Sequence, residues 1–454
     1  MSLFGAINTA ISGLTSQSAA FGNISEDVAN SQTVGFKRVD TSFKDYLTTS
    51  TPTQNEPGAV VAQPEYINDV QGSVTQTDNP LGMAIAGQGF FAVSQPTGTT
   101  NGVPTFNPQQ FYSRAGDFTM NDSGYLVNSA GQYLNGWSVN SATGVVDQNA
   151  LVPIQINQNT YNPVATSNVT LSANLPATPT SGTATSTSPL SSQITVYDAL
   201  GTAHPVTLNW SQSTTNPNTW TVEVNVPNAD TTATNGTPAT VDAGSADVTF
   251  GAASGNAVPE GTIGLIAAPA DGDTGTVVPS TFTSGQPATL QFTTNFGSGN
   301  QTITLNLGTY GGTAGVTQFA GNSYSLLGLT QDGVPPGSFS GLTTQANGDV
   351  IVNYNNGQTR TVGQIPLVTF NSPNSLQSQN GQSFTATPSS GSPLAEAAST
   401  GGAGNLVIGS VEGSNVDIAT EFSNLIVAQQ AYSSNAKVVT TANTMLQVTL
   451  QMVT

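Results

Sequence analysis

The chain has 454 residues, six Lys and Arg against 25 Asp and Glu, a formal net charge of −19 and only 7% charged residues. Its surface must therefore be mostly neutral Ser, Thr, Asn and Gly, and its charge repels phosphate backbones and anionic membranes, which excludes nucleic-acid binding. The absence of cysteine excludes a disulfide framework, a thiolate metal site and a Cys nucleophile, and a chain this long predicts two or three domains rather than one core.

Met1 to Ile11 carries no Lys or Arg, and Ser, Asn, Thr and Gly break up its apolar residues. It fits neither a signal peptide nor a membrane span, so any export is expected to proceed without a cleaved leader. Apolar residues then recur at alternating spacings of four and three: Leu3, Ile7, Ala10, Leu14, Phe21, Ile24 and Val28, interrupted once by Gln17. That is a heptad seam on an N-terminal helix over 1–30.

From about residue 50 to 400 no long helical pattern appears; period-two runs and turn residues take over. Strands are predicted at Phe90–Val93, Gln193–Tyr197, Thr219–Val224, Thr289–Phe292, Thr302–Leu307 and Asp349–Tyr354, with a turn at Asn355-Asn356-Gly357. Ala177 to Ser192 reads as a linker or domain entry, and residues 228–288, poor in large apolar side chains, as long loops. A second heptad seam closes the chain: Ile418, Phe422, Leu425, Tyr432, Ala436, Val439, Leu446 and Leu450, with Gln429 and Asn443 interrupting it. Ser414 and Asp417 suggest a capping box that starts this helix near Asn415. Two seams at the extreme ends need partners to leave water, and the simplest are each other and further copies of the chain.

Candidates for chemistry are few. His204, the sole histidine, reads as part of a turn between strands, and no Gly-x-Ser-x-Gly, phosphate-loop or His-Glu-x-x-His pattern occurs. Asp271-Gly272-Asp273 lacks the further ligands of a calcium loop and reads as a solvated turn. No enzyme activity, cofactor or metal is expected. Trp137, Trp210 and Trp220 are expected in cores; in a carbohydrate-binding or adhesin protein they would instead line a cleft.

Residues 29–38, with Ala29, Asn30, Thr33, Gly35, Phe36 and Lys37 in an Ala-Asn-x-x-Thr-x-Gly-Phe-Lys pattern, resemble the signature of bacterial flagellar rod and hook proteins. In physical terms Asn30 stops the helix and Gly35 supplies a positive φ. Three further strings are similar to that family in its order: Ala84 to Val93, Tyr112 to Phe118 and Asp122 to Val127. Asn415 to Phe422 and Ile426 to Tyr432 resemble its closing helix. Glu26-Asp27 departs from the neutral residues common there, and Gln430 from a common basic residue. The middle, Ile194 to His204 leading to Trp210 and Trp220, looks like the domain inserted in hook proteins and absent from the shorter distal rod proteins.

The resemblance implies a mainly β fold with terminal α-helices, which pair as a coiled-coil-like assembly core carrying two nested barrel- or sandwich-like β domains. The expected division is 1–30 assembly helix, 31–71 connecting segment, 72–145 plus 320–405 inner β domain, 146–319 inserted outer β domain, and 406–454 C-terminal assembly helix. It further implies a structural subunit of the flagellar hook, a homopolymeric curved hollow tube acting as a universal joint outside the cell. Its partners would be rod, hook-cap and hook-filament junction proteins and the type III export apparatus, with no nucleic acid and no membrane insertion. A distal rod or junction protein and a secreted carbohydrate binder are the alternatives.

Overall fold

In the computed structural model a helix stands near each end of the chain: α1, Leu3–Ala29, and α2, Ile418–Val453. Among the described residues everything between them is strand, turn or loop, apart from one 3-10 turn at Pro373–Ser375. The structure describes residues 3–51, 54–140, 143–232, 238–269 and 275–453, and side chains within 4–47, 58–140, 143–228, 240–269, 275–449 and 451. The expected Asp271-Gly272-Asp273 turn lies outside them.

Local chemistry sets the helix ends. At the close of α1, Asn30 donates both its backbone N–H and its side-chain amide to Glu26 O, each at 3.0 Å, and Ser31 Oγ donates to Val28 O at 2.8 Å. These bonds use the carbonyls that a helix leaves open. At α2 the expected start near Asn415 is corrected: the N-cap is Asp417, whose carboxylate accepts the Thr420 N–H at 2.9 Å, and the helix has 36 residues from Ile418. Asn415 stays outside because its amide is engaged elsewhere, accepting from Arg38 N–H at 2.8 Å and donating to Ile67 O at 2.9 Å. Ser414 only accepts the Val416 N–H at 3.2 Å, a turn ahead of the helix.

The chain divides into two units, one of residues 1–158, 340–353 and 359–454, the other of 159–339 with 354–358. The first unit keeps strand Val146–Pro153, which pairs with Tyr133–Val139, so the crossing comes after residue 158 rather than after 145. Its long antiparallel hairpin, Val39–Thr51 with Gln54–Tyr66, occupies the connecting segment. Its main sheet runs Thr359–Gln364, Tyr133–Val139, Phe90–Ser94, Phe111–Ser113, Ser383–Thr385 and Gln377–Gln379, joined antiparallel. Aromatic edges pack on both of its faces: Phe91 on Phe118 with centroids 5.5 Å apart on one, and Tyr112 on Phe370 at 4.9 Å on the other. Gly116 is fixed sterically, because a Cβ there would stand 1.7 Å from Met83 O, whose own N–H donates to Gly116 O at 2.8 Å.

The second unit is a sandwich. One sheet is an antiparallel meander of Leu190–Tyr197, Ala203–Gln212, Thr219–Thr232, Pro238–Phe250 and Ile263–Ala267. The other orders Val278–Pro279, Pro287–Asn295, Asn300–Thr309, Asn168–Asn174 and Val316–Thr317, with Ser325–Gln331 also paired to Asn168–Asn174. Inward residues of both sheets form one core around Trp210, Trp220, Phe250, Phe292 and Tyr310. Residues 228–288 are thus not merely long loops. Small Ala243 and Ala246 face the same core as the two tryptophans, and Val248 and Phe250 at the far end of this strand are buried with them.

All three tryptophans are buried, Trp137 in the first unit and Trp210 and Trp220 in the second. The reading of His204 is corrected: it is the second residue of strand Ala203–Gln212 rather than part of the turn, its Nε2 stands 3.1 Å from Asp198 Oδ2, and its ring stacks on Phe296 at 4.3 Å. Since Phe292 sits at the centre of the sandwich core, Phe292→Ala is expected to destabilise the second unit by about 3–5 kcal/mol through the cavity it leaves, read as an earlier urea transition in tryptophan fluorescence.

Candidate assembly site

The terminal helices pack against each other within the first unit. Gly13 lets Asn435 approach so closely that a Cβ on the glycine would meet its amide nitrogen at 2.9 Å. Phe21 meets Tyr432 edge-on with centroids 6.3 Å apart, and Asp27 lies beside Glu421. Residue numbers rise on α1 as they fall on α2, so the pair is antiparallel.

The line of α1 that is actually buried is Ala10, Gly13, Ser16, Ala20, Ile24 and Asp27, rotated from the expected seam. Of that seam Ala10 and Ile24 are buried, Ile7, Leu14, Phe21 and Val28 are half-buried, and the Leu3 side chain lies outside the described set. The reason is a second neighbour. The hairpin lies along α1, and the small polar residues serve it: Val60 N–H donates to Ser12 Oγ at 3.0 Å, Ser16 Oγ donates to Val60 O at 2.9 Å, and Asn23 Nδ2 donates to Thr41 Oγ1 at 2.9 Å. Serines that interrupt the apolar pattern thereby satisfy the backbone groups of Val60.

On α2, Leu425, Ala436, Val439 and Leu446 are half-buried, whereas Ile418, Phe422 and Tyr432 remain 40%, 53% and 44% exposed; the Leu450 side chain lies outside the described set. Ile426 and Val427 are exposed too, at 53% and 65%, as are Val438, Met445 and Val448 on α2 and Phe4 and Ile11 on α1. A single chain leaves this apolar surface in water. No described helix is long and apolar enough to cross a membrane.

Beneath the helices the string at 29–38 meets two distant segments. Gly35, at φ +71°, lies against the Ala115 backbone, where any side chain would collide, and its N–H donates to Glu412 O at 2.8 Å. Lys37 Nζ reaches Glu412 Oε1 at 2.6 Å and Val70 O at 2.7 Å. Arg114 Nη1 reaches Glu412 Oε2 at 3.1 Å, and its Nη2 donates to Gly87 O at 2.8 Å. Gly72 N–H adds a further bond to Glu412 Oε1 at 2.9 Å. Both cations are held below their usual proton affinity by burial, partly offset by the Glu412 charge. Sequence patterns pointed to Lys37 within the string at 29–38 and to Arg114 within Tyr112 to Phe118. Glu412 had no motif, only the oddity of a carboxylate between Gly409 and Gly413 in a charge-poor chain.

Asp27 and Glu421 also escaped sequence reasoning. Asp27 is pushed up to about 7, first by burial and then by the charges of Glu421, Asp40 and Glu26, against the opposing hydrogen bond from Val39 N–H. Glu421 is raised as well, chiefly by burial. Because the folded Asp27 binds its proton more tightly than the unfolded one, its contribution to stability is full below 3.8 and is lost as pH rises through about 7. Asp27→Asn should therefore change little near pH 4 and raise the melting temperature above pH 7 in chelator-containing buffer, flattening the pH profile. Replacing Glu412 by Gln, in contrast, strands two buried cations, and is expected to cost about 3–5 kcal/mol in chemical denaturation.

Three family models match stretches of the chain. Residues 84–174 match the model "Flagellar hook protein FlgE/F/G D1 domain", 165–334 match "Flagellar basal body protein FlaE D2 domain", and 408–452 match "Flagellar basal body rod FlgEFG protein C-terminal". The flagellar hook protein FlgE of Brucella suis is 28% identical over 99% of this chain and 98% of its own length. That of Escherichia coli is 27% identical over 97% and 98%. Among solved structures, the flagellar hook protein FlgE2 of Helicobacter pylori aligns with a TM-score of 0.46 at 15% identity, covering 73% of this chain and 98% of that one. With matches from the first β strands of the body to the last helix, and full-length relatives of one kind, the chain belongs to the family of bacterial flagellar hook proteins.

Proposed function

We propose that copies of this chain self-assemble, through the apolar faces that α1 and α2 leave exposed, into the curved hollow tube of the flagellar hook, and that the tube passes motor torque to the filament as a universal joint. The chain is a structural hook subunit and not an enzyme, as its relatives are. The observation that carries the assembly reading is the exposed stripe of α2. Ile418, Phe422, Ile426 and Val427 lie on a helix already packed on its other side, and removing about 25 cal/mol of free energy per Å² of such surface is what helix association offers in water.

In this reading the terminal segments, 1–30 and 406–454, build the tube wall. The β parts of the chain, which divides after residue 158 and again near residue 340, serve as its outer layers. The seam residues Ile7, Leu14, Phe21, Val28, Leu425, Ala436, Val439 and Leu446 support the pair of helices, and Ile418, Phe422 and Tyr432 meet neighbouring copies. The signature residues Asn30, Gly35, Phe36 and Lys37 join the helix to the body. Rod, hook-cap and junction proteins are the partners at the two ends of the polymer, and the subunit reaches this extracellular position through the type III export apparatus. The shorter-rod-protein alternative is disfavoured by alignment along 98% of full-length hook relatives.

Ile426→Asp is expected to abolish polymerisation and swimming while leaving monomer stability within about 0.5 kcal/mol, since the residue is a surface one in the monomer. Sedimentation of the purified protein and electron microscopy of cells read the two effects. Hooks assembled normally by this variant, or by a chain lacking residues 415–454, would overturn the reading.

A further inference from the structure

Where α1, the strand Val39–Thr51 and the first turn of α2 converge, Asp27, Asp40 and Glu421 each place a carboxylate oxygen within 4.8 Å of the other two. Asp27 and Glu421 are each only 1% exposed, and Glu421 Oε1 accepts no hydrogen bond. A buried carboxylate oxygen without a donor is costly unless a positive charge stands beside it. The residues facing the cluster do not supply enough. Arg38 is the one nearby cation, with Nη2 at 3.4 Å from Asp40 Oδ2, while Glu26 and Asp417 add negative charge from α1 and from the cap of α2. Three carboxylates less one guanidinium leave two negative charges.

We propose that Asp27, Asp40 and Glu421 bind a hard divalent cation of the calcium class that pins both terminal helices to the hairpin. The donors are all oxygen, without the imidazole or thiolate that would select zinc or copper. A cleft of about 450 Å³ lined by Asp40 and Glu421, with Gln17, Thr41, Thr420 and Asn424, admits the ion and the water molecules that complete six to eight oxygen ligands. Asp27 already accepts the Val39 N–H at 3.1 Å through Oδ1, which orients its carboxylate and leaves further lone pairs for a metal. The site deepens no step of polymerisation and is testable on the monomer, so its failure leaves the hook reading intact.

The test is isothermal titration and thermal unfolding of the full chain with CaCl₂ and with MgCl₂, against NaCl at equal ionic strength. Expected is one calcium site with a dissociation constant of roughly 10⁻⁴–10⁻³ M, as in extracellular calcium modules. Asp27→Asn and Glu421→Gln, both near-isosteric, should each weaken it about tenfold or more by removing ligand charge, whereas Glu26→Gln, outside the cluster, should not. Magnesium competing at the same site also supports the class. A melting response to NaCl alone, calcium heat that survives both variants, or a shared proton with no divalent binding at pH 8 would each overturn it.

Discussion

Glu412 sets the geometry on which the first unit depends. One carboxylate takes Lys37 from the turn after α1, Arg114 from the β body and the Gly72 N–H, while its backbone carbonyl takes the Gly35 N–H. Five residues later Asp417 caps α2. A rigid connection is therefore made at the one place where both helices leave the body. Such a buried triad contributes little net stability over apolar packing, but it tolerates few alternative arrangements, because every misplacement strands a charge. Its value here is register: it fixes where the two helices begin and end relative to the strands.

From that fixed base the helices run outward with progressively less support. Near the base α1 is held by Asp27 on Val39 and by Asn23 on Thr41, further along by Ser16 and Ser12 on Val60, while α2 rests on small contacts such as Asn435 against Gly13. The side of α2 turned away from α1 is apolar and wet. A body that is complete in itself and a helix pair that is half-complete suit the proposed assembly, in which the remaining burial would come from other copies. Small residues on the α1 line let backbones approach, and large ones on α2 are reserved for the outside.

How much of this was readable beforehand follows from which forces are local. Strand positions such as Asp349–Tyr354, the stop at Asn30 and the positive φ at Gly35 depend on neighbours in sequence, and patterning reached them. The seam on α1 was misplaced by part of a turn because a heptad template assumes one partner, while this helix has two, and the serines that looked like interruptions were the contacts to the second. Strand Pro238–Phe250 was hidden because much of its inward face is small, Ala243 and Ala246 packing beneath tryptophans from other strands. Glu412 and Glu421 carry their meaning through residues hundreds of positions away, and Asp27 through the neighbouring strand as well as Glu421, relations that no local pattern encodes. The string at 29–38 did point to the right place, since its Gly and Lys are the residues that the buried triad requires.

The distribution of charge completes the division of labour. All six Lys and Arg, at 37, 38, 44, 114, 360 and 437, belong to the first unit, and the second unit has none. Three of them are spent close to the helix bases, on Glu412 and Asp40. The second units of neighbouring copies consequently have no Lys or Arg with which to pair one another's carboxylates, and their mutual contacts must be neutral, hydrated and weak. A polymer built from such subunits concentrates its strong, desolvated contacts on the terminal helices and its weak ones on the inserted sandwich. In the proposed universal joint, bending would lengthen and shorten contacts that cost little to break, while the contacts that carry load would stay closed.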